Sequence, residues 1–207
     1  MPCYAIEGVT PVVDPTAYVH PTAVLIGDVV VGARCWVGPH ASLRGDFGRI
    51  RLEEGSNVQD GCVLHGIPQG ETRIGVDGHI GHGAVLHGCT IEAGALVGMN
   101  AVVMDDAVIG AQAMVAACAF VRGGMRLAPR WLAAGLPARP LRELSEAEIA
   151  NKAEGTALYQ DLTRRCLASL VEVQPLPALD ADRPALQVAR EWRRGRGGQQ
   201  TEAGAPE

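Results

Sequence analysis

Large rings are scarce in this sequence: Phe, Trp and Tyr make up 4% of the residues, against 26 glycines. The interior must be filled by small and β-branched side chains, which points to a narrow, repetitive core. Long apolar runs are missing too. Nothing approaches the roughly 18 residues a membrane helix needs, so no membrane partner is expected. The first segment, "MPCYAIEGVTPVV", lacks a basic start and is broken by Glu7, Gly8 and Pro11, which argues against a secretory signal. Positive charge is in deficit, with a net charge of -5, and that speaks against general nucleic-acid binding. The basic cluster Arg190, Arg193, Arg194 and Arg196 sits in a Gly-rich stretch and reads as a solvated end. No CxxC occurs. Cys3, Cys35, Cys62, Cys89, Cys118 and Cys166 stand singly and read as reduced, mostly core residues of a cytoplasmic protein.

What the sequence does have is a period of six. Aliphatic residues recur at Val13, Val19, Leu25, Val31, Val37 and Leu43, then at Val58 and Leu64, then at Ile74, Ile80 and Leu86. After one five-residue step they continue as Ile91, Val97, Val103, Ile109, Val115 and Val121. Six fits neither a helix nor a simple alternation. It fits a parallel β-helix of hexapeptides, with one short strand and one turn per hexad and three hexads per coil, coils stacking at the roughly 4.8 Å spacing of paired strands. The predicted fold class is therefore all-β, a left-handed parallel β-helix with a C-terminal α-helix. The helix should start at the capping box Ser145-x-x-Glu148. Its apolar stripe, Ile149, Ala153, Leu162, Cys166 and Leu170, would pack on the prism or across a subunit boundary, with a bend possible at Gly155. The expected organisation is a β-helix domain over residues 1–130, a linker and C-terminal helix over 131–173, and a disordered tail over 174–207.

The hexad register also sorts the histidines. Leu64-His65 and Leu86-His87 each place His second in a hexad, 22 residues apart, and four of those belong to a loop within "GIPQGETR". The remaining 18 make one full coil, so His65 and His87 should sit side by side on one face. His82 falls third in its hexad, on the preceding face, and should point away from that pair, so one subunit does not easily offer all three to one ion. In a cyclic homotrimer, His82 of one subunit would face His65 and His87 of the next, giving three neutral imidazoles and an open position. His20, His40 and His79 read as surface residues.

The segments "HPTAVLIGDVVVG", "ASLRGDFGRI", "NVQDGCVLHG", "DGHIGHGAVLHGC" and "GMNAVVMD" resemble the γ-class carbonic anhydrase family of hexapeptide-repeat trimers. Within it the similarity is greatest to the phenylacetate-degradation and carnitine-operon proteins. The resemblance places the metal triad on His65, His82 and His87, with Zn2+ as cofactor, or else Fe2+ or Co2+. It makes Arg44 and Asp46 an interface pair in which the arginine bridges carboxylates across the trimer contact, and it assigns Asn57, Gln59 and Asp60 to ordering the pocket and the metal-bound water. Phe47 and "GIPQG" stand where active carbonic anhydrases carry acidic proton shuttles, and Glu71 is the nearest acid. This departure implies intact metal chemistry without a fast proton exit. The expected activity is hydrolysis of an acyl-CoA thioester by a metal-bound hydroxide, clearing dead-end acyl-CoAs, with Gln59 positioning the nucleophile and Phe47 offering an apolar wall. Carbon dioxide hydration and hexapeptide acyl transfer are the alternatives.

Overall fold

A hexad makes a strand of only two or three residues, so cohesion has to come from stacking rather than from strand length. The computed structural model, which describes residues 1–186, bears this out. Short strands such as Thr90–Ile91, Leu96–Val97 and Val102–Val103 follow one another around a prism, and each pairs in parallel with the strand one coil away, as Thr90 does with Val108 and Ile91 with Ile109. Inward residues are fully buried from Leu25 through Leu43, Leu64 and Leu86 to Val121; burying one such side chain contributes roughly 1.5–3 kcal/mol. Small residues fill the corners. Ala41, Ala84, Ala101 and Ala119 occupy them with Cys35, Cys62 and Cys89, all close to zero exposure. Burial pushes the Cys62 thiol up to about 11 and the Cys89 thiol to about 12. Those three are core residues; Cys3 and Cys118 are exposed, and all six are free thiols.

Each corner needs a residue in the left-handed region. Asn100, Asp106, Gln112 and Cys118 hold φ of 56–59° at six-residue intervals, and Gly88, Gly94 and Gly124 take the same places elsewhere.

Three faces result. One is an eight-stranded sheet; the other two belong to a single 12-stranded sheet that turns a corner, because the long strand Ser42–Leu52 pairs with Val63–His65 at one end and with Glu71–Ile74 at the other. Their outward columns differ in chemistry. The first face presents Tyr18, Trp36, Asn57 and His79 in register and is covered by the helix Glu146–Ser169. The second presents Ser42, Val63, Val85, Val102 and Phe120. The third carries Arg51 and Arg73 in register, ion-paired to Glu71 and Glu53.

Two expectations need correction. Residues 131–143 are not linker: Trp131–Gly135 continues the stack and Ala138–Glu143 folds back against it in antiparallel pairing. The helix does begin at its capping box, with Ser145 and Glu148 bonded reciprocally, and it runs unbroken past Gly155. Its buried face, however, is Lys152, Thr156 and Thr163, whereas Ala153 and Leu170 are exposed. The surface beneath is polar at Asn57 and His79, where Thr156 meets it, and aromatic at Trp36, where Tyr159 packs with ring centroids 5.0 Å apart. Residues Met1–Leu170 form one compact unit. In the second unit, residues 171–186 carry no strand or helix, and the expectations for the tail beyond 186, including the arginine cluster, lie outside the described residues.

Candidate metal centre

The parallel ladder brings His65 directly beside His87, Leu64 pairing with Leu86 in the same register. The loop Ile67–Gly70 absorbs the four extra residues and closes with the Gly70 amide donating to the Ile67 carbonyl at 3.0 Å. Thr72, fully buried, clamps the two strand ends: its hydroxyl donates to the His65 carbonyl at 2.5 Å and accepts from the Gly88 amide at 2.8 Å.

The outer nitrogens of both rings are held by carboxylates. His65 Nε2 lies 3.0 Å from Asp46 Oδ1, and His87 Nδ1 makes a short contact with Asp105 Oδ1. An ionised carboxylate accepts only, so those nitrogens carry the protons and the inner ones keep their lone pairs. The inner nitrogens, His65 Nδ1 and His87 Nε2, face each other at 3.1 Å. Burial pushes the Asp46 carboxyl up, but hydrogen bonds from Arg44 and His65 outweigh it and hold the group below the ordinary carboxylate value. Arg44 Nη1 donates to Asp46 Oδ2 at 2.8 Å within the chain, which leaves part of its guanidinium fork for a further carboxylate. Phe47 stands 59% exposed, its ring centroid 5.2 Å from that of His65.

His82 lies elsewhere, exposed on a turn, as the register requires. Asp60 Oδ2 holds its Nδ1 at 2.6 Å, and its free Nε2 is 3.5 Å from the Tyr159 hydroxyl on the helix. Among the described residues, no three His, Cys, Asp or Glu side chains converge within one chain as a metal site.

Asn57 and Gln59 are not beside the imidazole pair. They form a buried polar cluster under the helix, where Gln59 Nε2 donates to Asn57 Oδ1 at 3.0 Å and to His79 Nε2 at 2.7 Å. With Nε2 accepting, His79 Nδ1 carries the proton and donates to Thr156 at 3.3 Å. His79 is therefore no surface histidine. Burial, then the Lys152 ammonium, lower its pKa to about 4, and it stays neutral at pH 7. The positioning of a nucleophile by Gln59 remains an expectation; in this chain its amide is bonded to Asn57 and His79.

Sequence reasoning missed Asp105, Thr72 and Tyr159. A signal for Asp105 existed in the five-residue step from Leu86 to Ile91. The missing residue brings Gly88, at φ 57°, against Asp105, so close that a Cβ there would stand 2.5 Å from Asp105 Oδ1. Only glycine leaves the carboxylate room to reach His87.

A stack of hexads that presents a carboxylate-held imidazole pair defines the class, and similarity to known proteins agrees. The pattern described as bacterial transferase hexapeptide (six repeats) matches residues 88–123. The chain belongs to the γ-carbonic anhydrase-like hexapeptide-repeat family, in the group of the carnitine operon protein CaiE. It is 55% identical over 187 residues to that protein from Escherichia coli K12, covering 90% of this chain and 95% of the relative. To the CaiE of Proteus sp. strain LE138 it is 52% identical over 191 residues, covering 92% and 97%. Among solved structures, a hexapeptide transferase family protein from Anaplasma phagocytophilum shares 38% identity at a TM-score of 0.76, covering 79% of this chain and 97% of that one.

Proposed function

We propose that the protein is a metal-dependent hydrolase of acyl-CoA thioesters whose centre lies between the subunits of a homotrimer. The observation that carries the reading is the meeting of two imidazole lone pairs at 3.1 Å, each ring backed by a carboxylate. Lone pairs so placed repel unless a proton or a metal ion lies between them, and two rings whose other nitrogens already donate to carboxylates suit the metal. With zinc–nitrogen bonds of 2.0–2.1 Å, tetrahedral ligand nitrogens stand roughly 3.3 Å apart, close to the spacing here. Imidazole donors suit Zn2+, with Fe2+ or Co2+ as alternatives. His65 and His87 would hold the ion from one chain and His82 from the next.

When bound, such an ion lowers the pKa of water to about 7 and polarises a carbonyl oxygen. The chain supplies the remainder. Asp46, Asp60 and Asp105 fix the three tautomers so that the lone pairs point away from the protein's own acids. Burial, then the nearby Asp60 carboxylate, push the Tyr159 phenol to about 12, so the hydroxyl near His82 stays neutral. Phe47 offers an apolar surface against which an acyl group can pack. The trimer reading is supported by the second face: Val63, Val85, Val102 and Phe120 form its apolar column, and it carries the two histidines, whereas the helix covers the first face and ion pairs line the third.

The test measures thiol release from a panel of acyl-CoAs beside carbon dioxide hydration, for wild type and His87→Ala, with bound metal quantified. About one ion per subunit in wild type, little in the variant, and thiol release that follows the ion are expected. Protein purified anaerobically without metal would sink the reading, and hydration without thiol release would replace the hydrolase with a carbonic anhydrase. The transferase description of the Anaplasma relative favours acyl transfer as a second reading. Activity surviving complete chelation would select it.

A further inference from the structure

Twelve arginines fall within residues 1–170. Nine of them pair with a carboxylate: Arg34, Arg44, Arg49, Arg51, Arg73, Arg130, Arg142, Arg164 and Arg165. The remaining three, Arg122, Arg126 and Arg139, form no ion pair among the described residues, and all three line one cavity of about 370 Å³. Their exposed guanidiniums surround the turn Gly123-Gly124. Arg139 uses Nη1 to donate to the Ala138 carbonyl at 3.1 Å, and the rest of its fork is free. Three uncompensated cations within one concavity repel one another, and an anion relieves that repulsion. Guanidinium forks match phosphate oxygens two at a time. In a chain of net charge -5, so local a concentration of positive charge suits a small phosphorylated ligand rather than a long polyanion.

The place of the cavity narrows the ligand. Leu86 pairs with Val103 and Val103 with Val121 along the second face. Arg122 thus holds the hexad position that His87 holds, two coils further along, about 10 Å away at the spacing of paired strands. An extended pantetheine arm is longer than this and could lie along the prism between them. We propose that Arg122, Arg126 and Arg139 form the subsite for the phosphates of the CoA nucleotide, with the thioester end at the histidines. The proposal rests on the acyl-CoA reading for its ligand, and binding tests it separately from catalysis.

The experiment titrates free CoA and dephospho-CoA calorimetrically, at low ionic strength, into wild type and into the triple variant Arg122→Gln, Arg126→Gln, Arg139→Gln. Thiol release is followed in parallel from an acyl-CoA and from the matching acyl-pantetheine, which has no nucleotide. CoA should bind the triple variant roughly tenfold or more weakly, and KM should rise for the acyl-CoA while the acyl-pantetheine reacts equally with both proteins. The single variant Arg122→Gln, at an exposed position, guards against a folding defect in the triple variant and should weaken CoA on its own. Loss of CoA binding in a protein that releases no thiol would uphold the subsite and overturn the hydrolase reading. Equal CoA affinity in wild type and both variants, or no binding to wild type at low ionic strength, would overturn the subsite.

Discussion

His65, His82 and His87 each have a different carboxylate behind them, and only part of that arrangement could be read from the sequence. His65 and His87 were legible because a strict six-residue period acts as a ruler. Asp105 was hidden because its link to His87 depends on a register shift and on the absence of a Cβ at Gly88. Its carboxylate selects the His87 tautomer that leaves Nε2 free, so it should govern affinity more than folding. Asp105→Ala is expected to weaken metal binding by about 10- to 100-fold, read by competition with a chromophoric chelator, with an unchanged thermal midpoint. Wild-type affinity in that variant would show that Asp105 does not orient the ring.

At the scale of the element, the helix is where sequence reasoning fell shortest. The capping box gives its start, but the apolar stripe is expected to pack on the prism or across a subunit boundary, and within the chain Lys152, Thr156 and Thr163 face the prism instead. No periodicity rule could find this, because the groups they meet, the Asp77 carbonyl, His79 and the Cys35 carbonyl, are polar and distant in sequence. The contact has a signature in acid. Unfolded His79 takes up a proton near 6.5, while the folded ring stays neutral down to about 4. The unfolded state binds more protons in that window, so stability falls as pH drops through it, by on the order of 3 kcal/mol from this residue. Urea midpoints measured across the window should fall more steeply for wild type than for His79→Gln. Parallel slopes would mean that the ring is not held neutral. Lys152 works in the opposite range: burial lowers its pKa to about 8, and its Nζ donates to the Asp77 carbonyl at 2.6 Å. Stability from this group rises as pH climbs from about 8 toward its ordinary value.

Taken whole, the molecule uses its three faces differently: one is covered by the helix, one is laced with ion pairs, and one offers an apolar column beside the carboxylate-backed pair His65 and His87. The prism itself was legible because hexads are local; which face stays open was not, since that depends on where the helix lands. If the open face is the subunit contact, a charge at its middle should break the assembly. Val102→Arg is expected to sediment as a monomer, keep its β spectrum and lose its metal, because His82 can then no longer reach the pair. A wild-type protein that is monomeric at micromolar concentration would refute the interface.

A stack of parallel coils has no length of its own, since every coil ends on an edge ready to accept another. The antiparallel strand Ala138–Glu143 covers that edge on the first face with a strand running the wrong way for a further parallel coil, while the other two faces end on the two-residue strands Phe120–Val121 and Arg126–Leu127. The hairpin is in this sense a partial terminator: on one face of three it keeps a last coil from serving as the template for another molecule's first, and leaves the other two to the shortness of their edge strands.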